Sequence, residues 1–323
     1  MQESKTVREG WPWGPTRFEE RFGNGITRVV FAIFGIPILL GAMYLGQWWL
    51  LVLSAVLAVG MTIEATTILG KSGDRTPRLL PILLVLLLFG LYTLETFGSY
   101  IVYSVLIAGI VVVSVGLASM AATLFGPDNG IDAIRGIGNS LFLALWIGVG
   151  TLALPVNELL IQHHVGFLSD VASIGASSAP LDLGFAWILL IFLGVWITDT
   201  GAYLVGRSFG RRKLAPAISP GKSIEGAVGG LILTMAALPM IGSFLLPQIA
   251  LGHLVAIGFL IGVVGQIGDL FESKVKRACG VKDSSAILPG HGGLLDRFDS
   301  LLFVFPAVLV YLLGAAAVSH IFG

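Results

Sequence analysis

The sequence predicts an all-α polytopic membrane protein with about nine transmembrane helices, and three observations favour this class. Of its 323 residues, 55% are hydrophobic and only 12% are charged, with a mean hydropathy of +0.91. A soluble domain carries about 25% charged residues. The chain also contains successive apolar runs of the length that crosses a bilayer, for which about 20 residues are needed. Finally, every basic residue lies before the first run, at its start, or on alternate connections between the runs.

The predicted spans follow one another from the N-terminus. Helices are the expected element because lipid cannot satisfy backbone amide and carbonyl groups. A cytoplasmic N-terminal segment, 1–26, precedes the N-terminal transmembrane helices at 27–159. An external loop, 160–183, leads to a C-terminal transmembrane region at 184–323, where the polar residues concentrate. The nine spans are 27–46, 48–69, 79–96, 99–124, 138–159, 184–206, 223–246, 250–272 and 298–320.

The distribution of basic residues predicts the orientation. All 19 Lys and Arg residues lie before or at the start of the first span, or between spans two and three, four and five, six and seven, or eight and nine. With nine spans these segments share one side, which the positive-inside rule assigns to the cytoplasm. The N-terminus is therefore expected in the cytoplasm and the C-terminus outside. The 19 acidic residues bring the net charge to zero, so no nucleic-acid partner is predicted.

Acidic residues are scarce in the first four spans and dense from the sixth span onward. Glu64 and Glu95 lie near span ends, which favours an interfacial position over a functional one. Asp199 lies well inside the sixth span and is a functional candidate, because a carboxylate at membrane depth is costly unless it is paired or hydrated. A structural alternative is a hydrogen-bonded anchor between helices. Small residues nearby predict close helix packing: Gly201, Ala202 and Gly206.

The segment Ser219–Gly226 reads Ser-Pro-Gly-Lys-Ser-Ile-Glu-Gly and enters the seventh span. A helix N-terminus favours phosphate, and Lys222 adds a positive charge. The Gly-Lys-Ser triplet suggests a Walker A motif, but that motif needs a Gly where Pro216 stands, so it is excluded. The alternative interpretation makes Ser219 a helix cap and Lys222 a positive-inside anchor.

Two further pairs of carboxylates flank the last cytoplasmic connection. Asp269 and Glu272 end the eighth span on one helical face, and Asp296 and Asp299 open the ninth in the same way. Helix capping and the positive-inside rule could each explain part of this pattern. Carboxylates and phosphates are the usual ligands of Mg²⁺, and a metal with Lys and Arg neutralises a transferring phosphoryl or nucleotidyl group. The combination indicates membrane-embedded, metal-assisted phosphate chemistry.

The run from Ser273 to Asp299 resembles the signature of the phosphatidate cytidylyltransferases, also called CDP-diglyceride synthases. In words, the signature is Ser, Lys-Arg, Lys-Asp, Pro-x-His-Gly-Gly and Asp-Arg-x-Asp, with the gaps found here. The segment Ser219–Gly226 resembles a second family segment, and Asp199 with Ala202 and Tyr203 fits a third pattern. The resemblance covers residues 196–300, whereas the N-terminal half matches only as apolar helices.

This resemblance implies a reaction in which the phosphate of phosphatidic acid attacks the α-phosphorus of CTP. Pyrophosphate leaves, and CDP-diacylglycerol is the lipid product. It implies Mg²⁺ as a cofactor, with K⁺ as a candidate second cation. The partners are then CTP, phosphatidic acid and the lipid bilayer, and a homodimer stays open. We expect an integral protein of a bacterial cytoplasmic membrane, with the active site in its catalytic C-terminal region and facing the cytoplasm.

The resemblance also implies roles for individual residues. Asp269 and Asp296 are expected to share one metal, with Asp299 or Asp199 assisting. The residues expected to act in catalysis are Asp269, Asp296, Lys222, Lys282 and Asp283. The residues expected to bind triphosphate or lipid phosphate, or to shape the loop over the nucleotide, are Ser219, Lys222, Lys276, Arg277, Lys282, His291, Gly292, Gly293 and Arg297.

Two other functions stay open from the sequence. A CTP-dependent lipid kinase, such as a polyprenol kinase, would use the same membrane, nucleotide and metal but release CDP rather than pyrophosphate. An ion-coupled transporter would use Asp199 and Asp269 at membrane depth. A transporter predicts carboxylates at the bilayer midplane and repeated halves, whereas this chain clusters them at one membrane face and has no repeat.

Overall fold

The computed structural model describes residues 33–74, 76–98, 130–164, 168, 181–285 and 292–322. The chain divides into two compact units. The first comprises residues 1–34, 54–152 and 278–297, and the second comprises 35–53, 153–277 and 298–323. The segment 1–26, the span 99–124 and most of the loop 160–183 lie outside the described residues.

Helices dominate the described chain. Six of the described helical segments are long and apolar enough to cross a membrane: Gln47–Lys71, Ile134–His163, Leu183–Phe209, Ile224–Leu245, Leu251–Ala278 and Leu295–Val318. Ile33–Leu45 and Leu79–Leu94 are shorter apolar helices at two further predicted spans. The prediction of an integral membrane protein is confirmed at this level, and the number nine stays a prediction.

The helices and strands are numbered in chain order. They are α1 (Ile33–Leu45), α2 (Gln47–Lys71), α3 (Leu79–Gly98), α4 (Gly130–Leu143), a π-helical segment (Ala144–Val149), α5 (Gly150–His164), α6 (Leu183–Phe209), β1 (Lys213–Ala215), β2 (Ser219–Ser223), α7 (Ile224–Leu245), α8 (Leu251–Ala278), α9 (Leu295–Phe298) and α10 (Leu301–Phe322).

The prediction of a wholly helical chain is wrong at one place. Strands β1 and β2 form an antiparallel hairpin between α6 and α7. The turn between the strands is closed by the Ile218 N–H, which donates to the Ala215 carbonyl at 3.1 Å. Pro216 occupies the second turn position, where its fixed φ is favoured. The membrane rule that predicts only helices does not apply to a short connection outside the apolar spans.

The second unit has a buried apolar core, to which helices α1, α5, α6, α7, α8 and α10 contribute side chains. Trp187, Phe192 and Phe305 are among its buried aromatic side chains, and the Phe192 and Phe305 rings meet edge to face with centroids 5.8 Å apart. Burying such large apolar surfaces is the main source of stability in a packed interior. The polar residues discussed below are therefore attached to a well-packed framework.

Small residues bring α6 and α7 close together, as the sequence predicts. A Cβ atom added at Gly230 would lie 2.5 Å from the Thr198 carbonyl oxygen, and one added at Gly226 would lie 2.6 Å from the Ala202 carbonyl oxygen. The hydroxyls of Thr198 and Thr234 lie 2.7 Å apart across the same contact. Glycine allows this backbone approach because it has no side chain. The contact fixes Asp199, next to Thr198, beside the start of α7.

The first unit packs α3 against α4 and the π-helical segment. Gly148 lies in this contact, where an added Cβ atom would be 2.9 Å from Leu88 Cδ1. Asn139 of α4 donates to Asp74 at 2.7 Å and to Thr76 at 3.1 Å. These hydrogen bonds tie the connection after α2 to α4 within the unit.

Candidate active site

A cavity of about 510 Å³ opens in the second unit between α6, the β1–β2 hairpin, α7 and α8. We call it the hairpin cavity. It brings together the two segments that the sequence analysis selected around Asp199 and Lys222, and it adds the end of α8. Its lining residues are Asp199, Ala202, Tyr203, Gly206, Arg207, Leu214, Ser219, Gly221, Lys222, Ser223, Ala227, Gln266 and Asp269.

The hairpin holds Lys222 at the edge of the cavity. Ser223 caps α7, since its hydroxyl accepts from the Gly226 N–H at 3.1 Å. The Glu225 carboxylate accepts from the backbone N–H groups of Arg211 and Arg212 at 3.0 and 3.1 Å, which fastens the start of the hairpin to the first turn of α7. The sequence-based alternative that Ser219 is the cap is wrong, because Ser219 belongs to β2 and lines the cavity.

Lys222 and Asp269 form the central ion pair of the hairpin cavity. Lys222 Nζ lies 2.5 Å from Asp269 Oδ2, and both side chains are 28% exposed. The Ser273 hydroxyl donates to the other carboxylate oxygen of Asp269 at 3.3 Å, as their spacing of four residues on one helix face predicts. A partly exposed pair of this kind can exchange its partners for a bound anion or cation, because each charge keeps access to solvent.

Two further carboxylates of the second unit interact electrostatically with this pair. Asp199 lines the hairpin cavity and interacts electrostatically with Asp269 and Lys222. Asp299 interacts electrostatically with Asp269, Asp199 and Lys276. Its Oδ1 atom accepts a hydrogen bond from the Ser300 N–H at 2.6 Å. Gly268 makes this approach possible, since an added Cβ atom there would lie 2.9 Å from the Asp299 carbonyl oxygen. Three of the four predicted metal ligands therefore form one electrostatic group.

The residues that line the hairpin cavity can hold a divalent metal only if a bound ligand supplies further oxygen atoms. No group of three or more His, Cys, Asp or Glu side chains in the described ranges could hold a metal ion. Mg²⁺ commonly takes one or two carboxylates and fills its remaining positions with water and substrate phosphates. Asp199 and Asp269 offer the carboxylate oxygens that such an ion requires, so a metal–triphosphate complex fits the chemistry of the cavity lining.

The fourth predicted metal ligand, Asp296, belongs to the first unit. Its Oδ2 atom accepts three hydrogen bonds, from the Ser284 N–H and hydroxyl at 2.9 Å each and from the Gly293 N–H at 2.8 Å. These bonds hold Ser284 and Gly293 against the Asp296 carboxylate. Asp269 belongs to the second unit, and the metal shared by Asp269 and Asp296 stays a prediction.

Other predicted residues have varied surroundings. Lys276 pairs with the fully buried Glu272 at 2.5 Å, and Arg277 Nε donates to the Ile218 carbonyl at 3.3 Å, joining α8 to the hairpin. Lys282, Asp283 and Arg297 are exposed. His291 lies outside the described residues. The roles of these residues in phosphate binding or catalysis stay predictions.

Gly292 and Gly293 adopt positions that exclude other residues. Gly292 has a φ of +84°, which favours glycine. An added Cβ atom at Gly293 would lie 2.5 Å from Glu64 Oε2. Both glycines therefore shape the chain before Asp296.

The sequence analysis missed several residues of the cavity lining and one buried acid. Tyr203, Arg207 and Gln266 line the hairpin cavity. Arg207 Nη1 donates to the Tyr203 hydroxyl at 2.9 Å. The spacing of four between Asp199, Tyr203 and Arg207 was a usable signal, because it places all three on one face of α6. Glu64, for which the sequence favoured an interfacial position over a functional one, is only 2% exposed and binds the signature run.

Fold and cavity together define an integral membrane protein whose polar site combines carboxylates, a lysine and an arginine beside a hairpin. The chain belongs to the cytidylyltransferase family, which matches residues 26–314. Members of this family generally use a divalent metal. The family resemblance seen in the sequence is confirmed.

Curated relatives named phosphatidate cytidylyltransferase match parts of the chain. The protein of Staphylococcus saprophyticus is 52% identical over 130 residues, which is 40% of this chain and 50% of the relative. That of Staphylococcus haemolyticus is 40% identical over 193 residues, 58% of this chain and 74% of the relative. The Staphylococcus aureus protein is 48% identical over 130 residues, again 40% and 50%. The chain thus spans about half the length of most of these relatives.

Proposed function

We propose that the chain is a phosphatidate cytidylyltransferase, which transfers CMP from CTP to phosphatidic acid. Membership of the cytidylyltransferase family and the printed name of the Staphylococcus relatives support this activity. The observation that carries the proposal is the Lys222–Asp269 ion pair on the wall of the hairpin cavity. It combines a cation for phosphate with a carboxylate for a metal, and nucleotidyl transfer needs both.

The proposed reaction forms one phosphorus–oxygen bond and breaks another. An oxygen of the phosphatidic acid phosphate attacks the α-phosphorus of CTP, and the bond to the β-phosphate breaks to release pyrophosphate. The attacking oxygen is already anionic, so no strong general base is required. Positioning and charge neutralisation are expected to supply most of the rate enhancement.

The residues of the hairpin cavity divide into cationic and anionic groups in this proposal. Lys222 and Arg207 bind phosphate oxygens, and Ser219 adds a hydroxyl. Asp269 and Asp199 would hold Mg²⁺, with Asp299 assisting, and K⁺ is the candidate second cation. The metal, when bound, supplies charge neutralisation for the triphosphate. With CTP bound, Lys222 would exchange its bond to Asp269 for a phosphate oxygen, and Asp269 would be one of the residues that hold the cation.

The remaining predicted site residues complete the proposal. Asp296 is a further metal ligand, and Lys282, Asp283 and Arg297 contribute charge for catalysis and substrate binding. Lys276 and Arg277 are retained as candidates for phosphate contacts, although Lys276 is paired with Glu272 in the structure. His291, Gly292 and Gly293 shape the loop beside the nucleotide.

We also propose that the cavity opens towards the cytoplasm of a bacterium. The basic residues around the hairpin and after α8 support this side through the positive-inside rule, and the named relatives are bacterial. CTP would then reach the cavity from the cytoplasm and phosphatidic acid from the bilayer. The homodimer stays a prediction.

An assay with labelled CTP tests the activity. Purified protein in detergent is given phosphatidic acid, Mg²⁺ and CTP labelled at the α-phosphorus, and the label in the lipid extract is counted. The proposal predicts lipid-extractable label that disappears when Mg²⁺ is removed, together with pyrophosphate. A parallel reaction contains γ-labelled CTP and a polyprenol. Lipid label only in that second reaction contradicts the proposal and indicates a lipid kinase, and no label in either favours the transporter.

A further inference from the structure

Glu64 of α2 is a buried carboxylate with a complete set of hydrogen-bond donors. Its Oε1 atom accepts from the Ser285 hydroxyl at 2.5 Å and from the Leu294 N–H at 2.9 Å. Its Oε2 atom accepts from the Ser284 hydroxyl at 3.1 Å and from the Leu295 N–H at 2.9 Å. An ionised carboxylate has about four acceptor sites, and each oxygen of Glu64 faces one backbone N–H and one serine hydroxyl. Its burial is therefore compensated without a cation.

The four donors come from both sides of the segment 286–291. Ser284 and Ser285 precede that segment, whereas Leu294 and Leu295 follow it. One side chain more than 200 residues away in the sequence thus fixes the two flanks at a common point. Hydrogen bonds to a charged acceptor are stronger than those between neutral groups. The position of the flanking residues therefore depends on Glu64.

The same contacts connect Glu64 to Asp296. The Ser284 hydroxyl lies within hydrogen-bond distance of both Glu64 Oε2 and Asp296 Oδ2, at 3.1 and 2.9 Å. A hydroxyl has one hydrogen to donate, so the two carboxylates share it. The Gly293 N–H, which also binds Asp296, lies directly before the two backbone donors to Glu64. We call these seven residues the Glu64 network: Glu64, Ser284, Ser285, Gly293, Leu294, Leu295 and Asp296.

We propose that Glu64 is a positioning residue for the transfer reaction, acting through Ser284 and the residues 293–295 to orient the Asp296 carboxylate. The inference rests on the proposed function, in which Asp296 is a metal ligand. Glu64 has no contact with substrate in this account. Its effect is to hold one orientation of Asp296, in the way that residues surrounding a metal site orient the ligands themselves.

The Glu64→Gln variant tests this role with little change of shape. The amide places an NH₂ donor against groups that are themselves donors, so at least one side of the network loses its acceptor. We expect kcat for CMP transfer to fall roughly 10- to 100-fold, as is typical when a partner of a metal ligand is removed. The KM for CTP is expected to change by less than about threefold, because Glu64 does not touch the nucleotide. Half-saturation by Mg²⁺ should require more metal.

Hydrogen exchange provides a second readout that does not depend on activity. In Glu64→Gln, peptides containing the amides of Leu294 and Leu295 should exchange faster, whereas peptides from α6 and α7 should be unchanged. The matched control is Thr67→Val on the same helix, which removes a hydroxyl that donates to the Ile63 carbonyl at 2.7 Å. This control is expected to keep the kinetics and exchange of the starting protein.

The two readouts separate failure of this inference from failure of the proposed function. If the unmodified protein transfers CMP and Glu64→Gln has an unchanged kcat, the positioning role is overturned. Faster exchange throughout the variant, including α6 and α7, also overturns it in favour of general destabilisation. If the unmodified protein transfers no CMP, the proposed function fails, and a positioning role in transfer fails with it. The exchange experiment then decides only whether Glu64 fixes residues 294 and 295.

Discussion

Glu64 in the first unit and Asp269 in the second are both carboxylates on apolar helices, but their surroundings differ. Glu64 is 2% exposed and accepts hydrogen bonds from four donors of the chain. Asp269 is 28% exposed at the side chain, faces the hairpin cavity and is neutralised by Lys222. A carboxylate whose acceptor sites are filled by donors of the chain stabilises the local fold. A carboxylate neutralised by a flexible lysine side chain can exchange that lysine for a ligand. The difference suggests which acids fix geometry and which act on ligands.

The largest effect is expected at Asp269. Asp269→Asn removes the negative charge that balances Lys222 and binds the metal in the proposed function. We expect kcat to fall roughly 10²- to 10³-fold, the size associated with loss of one electrostatic contact in a reaction centre. The thermal unfolding midpoint should be nearly unchanged, because the site is partly exposed. Activity assays over a range of Mg²⁺ concentrations and thermal unfolding in detergent measure the two quantities.

Asp132→Asn is the matched control for that variant. Asp132 is a partly exposed carboxylate that lies 3.8 Å from Arg135, a pair of the kind that contributes little. Its removal should leave transfer unchanged. Equal activity in Asp269→Asn and the unmodified protein contradicts the assignment of Asp269 to the reaction.

A smaller effect, on stability, is expected at Gly293. Gly293→Ala places a methyl group against Glu64 Oε2 and Ser284 in the buried network. Overpacking of this kind lowers the free energy of unfolding by about 1–3 kcal/mol. Gly70→Ala is the control on α2, because nothing lies within 4 Å of a Cβ atom added there. Thermal unfolding of the two variants should differ, and an unchanged midpoint for Gly293→Ala argues against a tightly packed network.

The smallest effect is expected at Cys279, which lies outside both the hairpin cavity and the Glu64 network. Burial raises the pKa of its thiol, the Ser72 hydrogen bond opposes this, and the Asp74 charge raises it further. A raised pKa leaves less thiolate at a given pH, so alkylation should be slow near neutral pH and accelerate only above the range of an ordinary thiol. Cys279→Ala should retain full transfer activity. Fast alkylation at pH 7 contradicts the buried environment.

Much of the second unit could be predicted from local sequence. Apolar runs predict the spans, and Gly201, Ala202 and Gly206 predict close packing of the helix that carries Asp199. The β1–β2 hairpin was missed because its strands are short and lie between two membrane helices. The sequence analysis noted Tyr203 only as part of a family pattern with Asp199 and Ala202. It noted Arg207 only among the basic residues that predict the orientation. The spacing of both residues from Asp199 nevertheless places them on one helix face.

The role of Glu64 could not be predicted in this way. Its partners are more than 200 residues away in the sequence, and no local periodicity connects α2 to the run after α8. From its position alone, an acid near a span end suggests an interface. Only the folded chain identifies the serine hydroxyls and backbone amides that satisfy it.

Binding of CTP to the Lys222→Met variant tests the central claim that the hairpin cavity holds the triphosphate. The dissociation constant is measured with Mg²⁺ for the purified protein, for this variant and for Lys213→Met, which removes an exposed lysine from the neighbouring strand β1. We expect binding about tenfold weaker or more for Lys222→Met, since a charge-assisted phosphate contact is worth about 1.5–3 kcal/mol. Lys213→Met should bind like the unmodified protein. Unchanged affinity in Lys222→Met contradicts the claim and would place the nucleotide elsewhere.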